Sequence, residues 1–155
     1  MNYYISQRCR QPFEKTLERV RSALADEGFG VLTEIDVKAT LKKKLDVDFR
    51  NYRILGACNP PFAYKALQAE DKIGTMLPCN VLVQQLSEDE VEIAAIDPVA
   101  SMQVLDNPEL NRLARQVLEK LRHAVTRAAG PQEERHAMGS ITNKQAREVE
   151  KWPKI

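Results

Sequence analysis

The sequence predicts an α+β fold, a two-layer sandwich in which two long helices cover one five-stranded sheet. Three observations lead there. Residues 12–28 and 108–129 each carry a single apolar stripe at helical spacing. Five short segments rich in β-branched and aromatic residues lie between and around them. A helix with one apolar stripe needs a surface to cover, and a sheet face supplies it. In chain order the elements are a strand, a helix, four strands and a last helix, with one short extra helix.

NYYISQRC, residues 2–9, reads as the first strand. Pro12 suits the first turn of a helix, where its missing N–H costs nothing. Phe13, Leu17, Val20 and Leu24 then recur at spacings of 4, 3 and 4, and Gly28 closes the helix. FGVLTEIDV alternates as a strand, with Val31, Thr33, Ile35 and Val37 on one face and Leu32, Glu34 and Asp36 on the other. KATLKKKLD is a short helical connection. RNYRILGAC forms the third strand. Residues 61–73 form a helix that ends near Gly74, and Pro78 bars its continuation. CNVLVQQL and VEIAAID flank SEDE as an antiparallel hairpin. Asn107 caps the last helix and Pro108 opens it. Leu110, Leu113, Val117, Leu121 and Ala124 form its stripe, and Gly130-Pro131 stops it.

The organisation is one domain over residues 1–130, followed by a polar tail or docking arm over 131–155. The tail carries the sole tryptophan, Trp152, a side chain suited to anchoring on a second surface. The chain holds 23 basic and 22 acidic residues. That balance lacks the basic excess of a nucleic-acid binder. The run Lys42-Lys43-Lys44 reads as a solvated helix face. No segment approaches the ~20 apolar residues of a membrane span, and the start does not read as a signal peptide. Three cysteines in a chain of 155 residues favour free thiols in a reducing cytoplasm. No spacing for zinc, a nucleotide loop or a nucleophile elbow occurs, so no metal or cofactor is expected.

One feature of the sequence invites chemistry. The pair Cys-Asn occurs twice, in ILGACNPPFAY and GTMLPCNVLVQ. The order EIDV, CNP, GTMLPCNV and IDP resembles domain-of-unknown-function family 302, across residues 5–125. The matching positions are Glu34, Asp36, Cys58, Asn59, Pro60, Gly74, Pro78, Cys79, Asn80, Asp97 and Pro98. The resemblance implies a bacterial or archaeal origin, a β-α-β4-α fold with a mixed sheet, and a homodimer. It implies a location for a site and no mechanism.

Cys58 stands before a helix N-terminus in which Asn59 is the natural cap. Free N–H groups and the helix dipole there favour a thiolate or a bound anion. Packing in the core is the competing account of both Cys58 and Cys79, since free cysteine is among the most buried residue types. A parallel crossover between their strands would hold the two thiols ~20 Å apart, and a return along residues 74–78 would bring them together. Glu34 and Asp36 form either the wet face of a strand or an acid–base pair, which Asp97 would join as a third carboxylate. The leading expectation is a small cytoplasmic protein that binds a small anion or a sulfur species through Cys58, Asn59, Cys79 and Asn80. The alternative is a dimeric interaction or scaffold domain without small-molecule chemistry.

Overall fold

The computed structural model describes residues 2–131. The tail with His136 and Trp152, read above as a docking arm, lies outside the described residues. Strand β1 spans Tyr4–Cys9, helix α1 Phe13–Asp26, β2 Gly30–Asp36 and α2 Val37–Leu45. Strand β3 spans Tyr52–Cys58, α3 Pro60–Ala69, β4 Cys79–Ser87 and β5 Glu90–Ile96. Helix α4 spans Pro98–Met102 and α5 Pro108–Ala129, while a 3-10 segment, Asp71–Met76, links α3 to β4. The two-layer α+β arrangement stands as predicted. Helix α4, which caps the turn after β5, is the element the sequence reading missed, because five residues hold too little periodicity to register.

The sheet order is β1-β5-β4-β3-β2. Every neighbouring pair runs antiparallel, so the expected mixed sheet is corrected to a wholly antiparallel one. The cause lies between β3 and β4. Their connection carries a helix, yet it is not a crossover: α3 and the 3-10 segment leave one end of the sheet and return to that same end. Cys79 therefore enters β4 directly opposite Ala57.

Strand β2 also departs from simple alternation. Val31 pairs with Ala57 but Thr33 pairs with Gly56, so a bulge at Leu32 takes up one residue. Val31 and Thr33 consequently face opposite sides of the sheet. Leu32 is thrown outward and is 69% exposed.

The layer between sheet and helices holds the main core. Val81, Val83, Ile93 and Leu55 from the sheet meet Leu17, Val20 and Leu24 of α1 and Leu121 and Val125 of α5. Each such side chain, fully buried, contributes roughly 1.5–3 kcal/mol. A second, smaller cluster forms where no strand reaches: Ala66 of α3, Ile73, Met102 of α4, and Leu110, Leu113 and Ala114 at the start of α5. Helix α5 thus serves both clusters, its last three turns lying on the sheet and its first turns against α3 and α4.

The chain reverses between α1 and β2 at Gly28, whose φ of +85° favours glycine. Gly56 is required for a different reason. A β-carbon there would land on Thr33 Oγ1 and lie 2.8 Å from Pro78 Cγ. The other face of the sheet bears Tyr4, Ile35, Leu82 and Ile54 by strand parity and is not covered by α1 or α5. Among the described residues, no helix is long and apolar enough to cross a membrane.

Candidate functional site

A cavity of about 250 Å³ lies at the seam between the two clusters. The sheet contributes Ala57, Cys58 and Cys79, the start of α3 contributes Asn59, Phe62, Ala63 and Ala66, and Pro98 and Met102 of α4 close one side. The first turns of α5 supply Leu110, Leu113, Ala114 and Val117. Leu32 both lines the cavity and faces solvent, which places the mouth beside the β2 bulge. None of the lining residues is charged, and Asn59 is the one lining side chain with a carboxamide.

The cavity gathers three of the predicted site residues, Cys58, Asn59 and Cys79. The two thiols are near neighbours, and the ~20 Å separation of a parallel crossover does not occur. They are, however, out of phase. Cys79 is in register with Ala57, and successive residues of a strand point to opposite faces. Cys58 is half-buried at the strand end, whereas Cys79 is 9% exposed. Burial pushes the Cys79 thiol up to about 11, and the nearby Cys58 adds to the shift. Cys79 is therefore a neutral thiol at physiological pH.

Asn59 does not cap α3 with its side chain, contrary to the expectation. Its Nδ2 donates to the Glu27 carbonyl at 3.2 Å instead. That carbonyl follows the end of α1, where carbonyl groups lack helical partners. Asn59 thus ties the start of α3 to the α1–β2 turn. The helix N-terminus is also poor in donors. Of the first-turn positions Pro60, Pro61 and Phe62, only Phe62 has an N–H. The Ala63 N–H is taken by the Asn59 carbonyl at 2.9 Å. The two prolines therefore remove most of the anion-binding capacity that a helix start ordinarily offers.

The remaining predicted residues lie elsewhere. Asn80 is exposed and points, with Leu82 and Gln84, to the uncovered sheet face. The repeated Cys-Asn is therefore two different local structures. Glu34 is held by Arg21 at 2.6 Å and Arg53 at 2.9 Å, and the Arg21 hydrogen bond leads in keeping its carboxyl below the ordinary 4.5. Asp36 caps α2 through the Ala39 N–H at 3.0 Å and meets Arg53 at 3.2 Å. Asp97 caps α4, accepting from Val99 and Ala100 at 2.9 and 3.2 Å. Strands β5 and β2 are three places apart in the sheet, roughly 14 Å at the usual inter-strand spacing. Asp97 therefore cannot act in concert with Glu34 and Asp36, and the three-carboxylate reading is withdrawn. Among the described residues no group of three histidine, cysteine or acidic side chains is placed to hold a metal ion.

Sequence reasoning missed the far wall of the cavity. Leu110, Leu113 and Ala114 belong to a stripe that reads as sheet-covering throughout, and nothing in its spacing marks where the sheet ends. Met102 and Phe29 gave no signal of their own.

No curated protein matches the chain. Among solved structures, it is similar to the "uncharacterized conserved protein DUF302 from Bacillus stearothermophilus", a crystal structure with 27% sequence identity and a TM-score of 0.77. The match covers 83% of this chain and 99% of that one. Five of the positions that first suggested a family, Cys58, Asn59, Pro78, Cys79 and Pro98, line the cavity. The family model described as "Domain of unknown function DUF302" matches residues 5–128, and the chain belongs to that family.

Proposed function

We propose that this protein binds a small, uncharged, largely apolar molecule in the seam cavity, with Cys58 and Cys79 among the residues of its wall. The observation that carries the reading is the cavity's lining: apolar residues, two cysteines, one asparagine and no charged residue. Apolar pockets with few polar groups are the usual form of small-molecule sites. A cavity of ~150 Å³ takes benzene, so about 250 Å³ holds ~10 non-hydrogen atoms. Of the two ligand classes expected from the sequence, a small anion or a sulfur species, the lining disfavours the anion. An anion would be buried without a cation and with a single helix N–H, which is costly.

The test is a thermal-shift and calorimetric screen of small aromatic and thioether compounds, repeated with Ala114→Leu. Ala114 is 2% exposed and lines the cavity, so the larger side chain occupies the ligand's place. Binding by the wild type at 100 times its Kd stabilises the fold by about 2.7 kcal/mol, and the filled variant loses that response. A screen with no binder, or a binder indifferent to Ala114→Leu, refutes the reading.

A second reading is a homodimeric interaction domain whose partner is a second copy laid on the uncovered sheet face. It is supported by the exposed Tyr3, Tyr4 and Ile35. The polar groups on that face also pair within the chain: Arg8 with Glu92 at 3.6 Å, Gln84 with Glu92 at 2.8 Å and Arg50 with Gln84 at 2.8 Å. Two copies face to face would then oppose few uncompensated charges. Light scattering across a hundredfold concentration range, with Leu82→Lys as control, tests it. A monomer throughout rules it out.

A further inference from the structure

The cavity's one carboxamide narrows the ligand class. Asn59 is 8% exposed, so more than nine-tenths of it is buried, and it lines the cavity. Its Nδ2 is committed to the Glu27 carbonyl. That bond fixes the orientation of the group, because a carbonyl can only accept and the atom facing it must be the nitrogen. The opposite atom is then Oδ1, an acceptor. No described residue donates to it: it makes no cap to α3. It is also not sealed away, since the buried unpaired side-chain atoms among the described residues are Gln11 Oε1 and Ser87 Oγ. Asn59 Oδ1 is thus an unsealed acceptor with no donor among the described residues, on a side chain whose residue lines the apolar cavity.

We infer that the ligand of this cavity is an apolar molecule carrying one hydrogen-bond donor, a hydroxyl or a ring N–H, which it presents to Asn59 Oδ1. The inference rests on the cavity reading above and adds the polar end of the ligand. An acceptor that the bound ligand covers discriminates strongly, since a ligand without the donor leaves Oδ1 stripped of water and unpaired. Cys79 lines the same cavity, and because a thiol is only a weak acceptor it competes poorly for the ligand's donor. The remaining wall, from Phe62 to Leu113 and Val117, is contact surface for the ligand's apolar body.

The probes are p-cresol and p-xylene, which have nearly the same shape and differ in one hydroxyl. Calorimetry on the full chain compares their affinities for the wild type and for Asn59→Ala. In the wild type p-cresol binds roughly tenfold more tightly than p-xylene, the factor expected of one net hydrogen bond. In Asn59→Ala the p-cresol affinity falls by about that factor, and that of p-xylene stays within about twofold. If p-xylene binds the wild type as well as p-cresol or better, the donor inference is overturned and the apolar cavity stands. If neither binds, the cavity reading itself fails and takes the inference with it. Should Asn59→Ala prove too unstable to assay, because it frees the Glu27 carbonyl, the wild-type comparison still decides the matter.

Discussion

The burial of Cys79 predicts a pH-dependent loss of stability that one substitution removes. The thiol's ordinary value is 9.0, and in the folded chain it rises to about 11. A raised value means that the fold holds the proton more firmly than the unfolded chain does. The stabilisation is complete below pH 9 and is lost as pH climbs toward 11. One unit is worth 1.36 kcal/mol. The Cys79 contribution therefore falls by about 1.4 kcal/mol between pH 7 and pH 10, and by about 2.7 kcal/mol well above pH 11. For a chain of 155 residues, ~2–4 °C per kcal/mol makes the first figure a drop of about 4 °C in Tm at pH 10. Tyrosines and lysines add their own pH dependence, so the measurement is a difference. Thermal unfolding followed by circular dichroism is compared at pH 7 and pH 10 for the wild type and Cys79→Ala. The variant starts lower, because it loses buried volume, but its decline is shallower by about 4 °C. Native alkylation at pH 7 provides the companion readout, with Cys79 unmodified until the chain unfolds. Parallel decline in both proteins, or rapid alkylation of native Cys79, refutes the buried neutral thiol.

Three further outcomes follow from the geometry. Gly56→Ala destabilises the fold by roughly 1–3 kcal/mol through overpacking, because its β-carbon meets Thr33 Oγ1 and Pro78 Cγ; urea unfolding shows partial recovery in the double variant Gly56→Ala, Thr33→Ala. The Arg21–Glu34 pair, at 2.6 Å on the surface, couples by no more than ~1 kcal/mol in a double-mutant cycle. Because the Glu34 carboxyl titrates below its ordinary 4.5, that coupling is present above pH 4.5 and disappears as pH falls through the lowered value. Asp97→Ala removes the cap of α4 and costs about 1 kcal/mol, and ligand affinity measured by calorimetry changes by less than about threefold if Asp97 is a cap and not a ligand group.

The fold was legible because its signals were local and repeated. The stripes of α1 and α5 and the Asn107 cap needed no partner to be recognised, and Asn107 does accept from Glu109 and Leu110 at 3.1 and 3.2 Å. The location of the cavity was half legible. The CNPP turn and the LPCN strand start do meet, but their meeting depends on a connection that returns to its starting end, and no spacing encodes that. The chemistry was less legible still. Asn59 has every local feature of a helix cap, yet a carbonyl 32 positions earlier in the chain takes its side chain. The carboxylates Glu34 and Asp36 looked available because their partners Arg21 and Arg53 approach from other elements. Asn80 copied its twin's neighbour in sequence and lies on the other face of the sheet.

The division of the interior into two clusters has a kinetic consequence. The smaller one, around Ile73, Met102 and Leu110, has no strand beneath it, so α3 and α4 can loosen while the ladder from β1 to β2 stays paired. Local openings of this kind cost less than global unfolding. Amide exchange along α3 and α4 is then faster than along β4 and β5, and slows when the cavity is filled. A molecule entering the seam would join the two clusters, so its residence time reports how often that lighter half of the protein lifts from the heavier one.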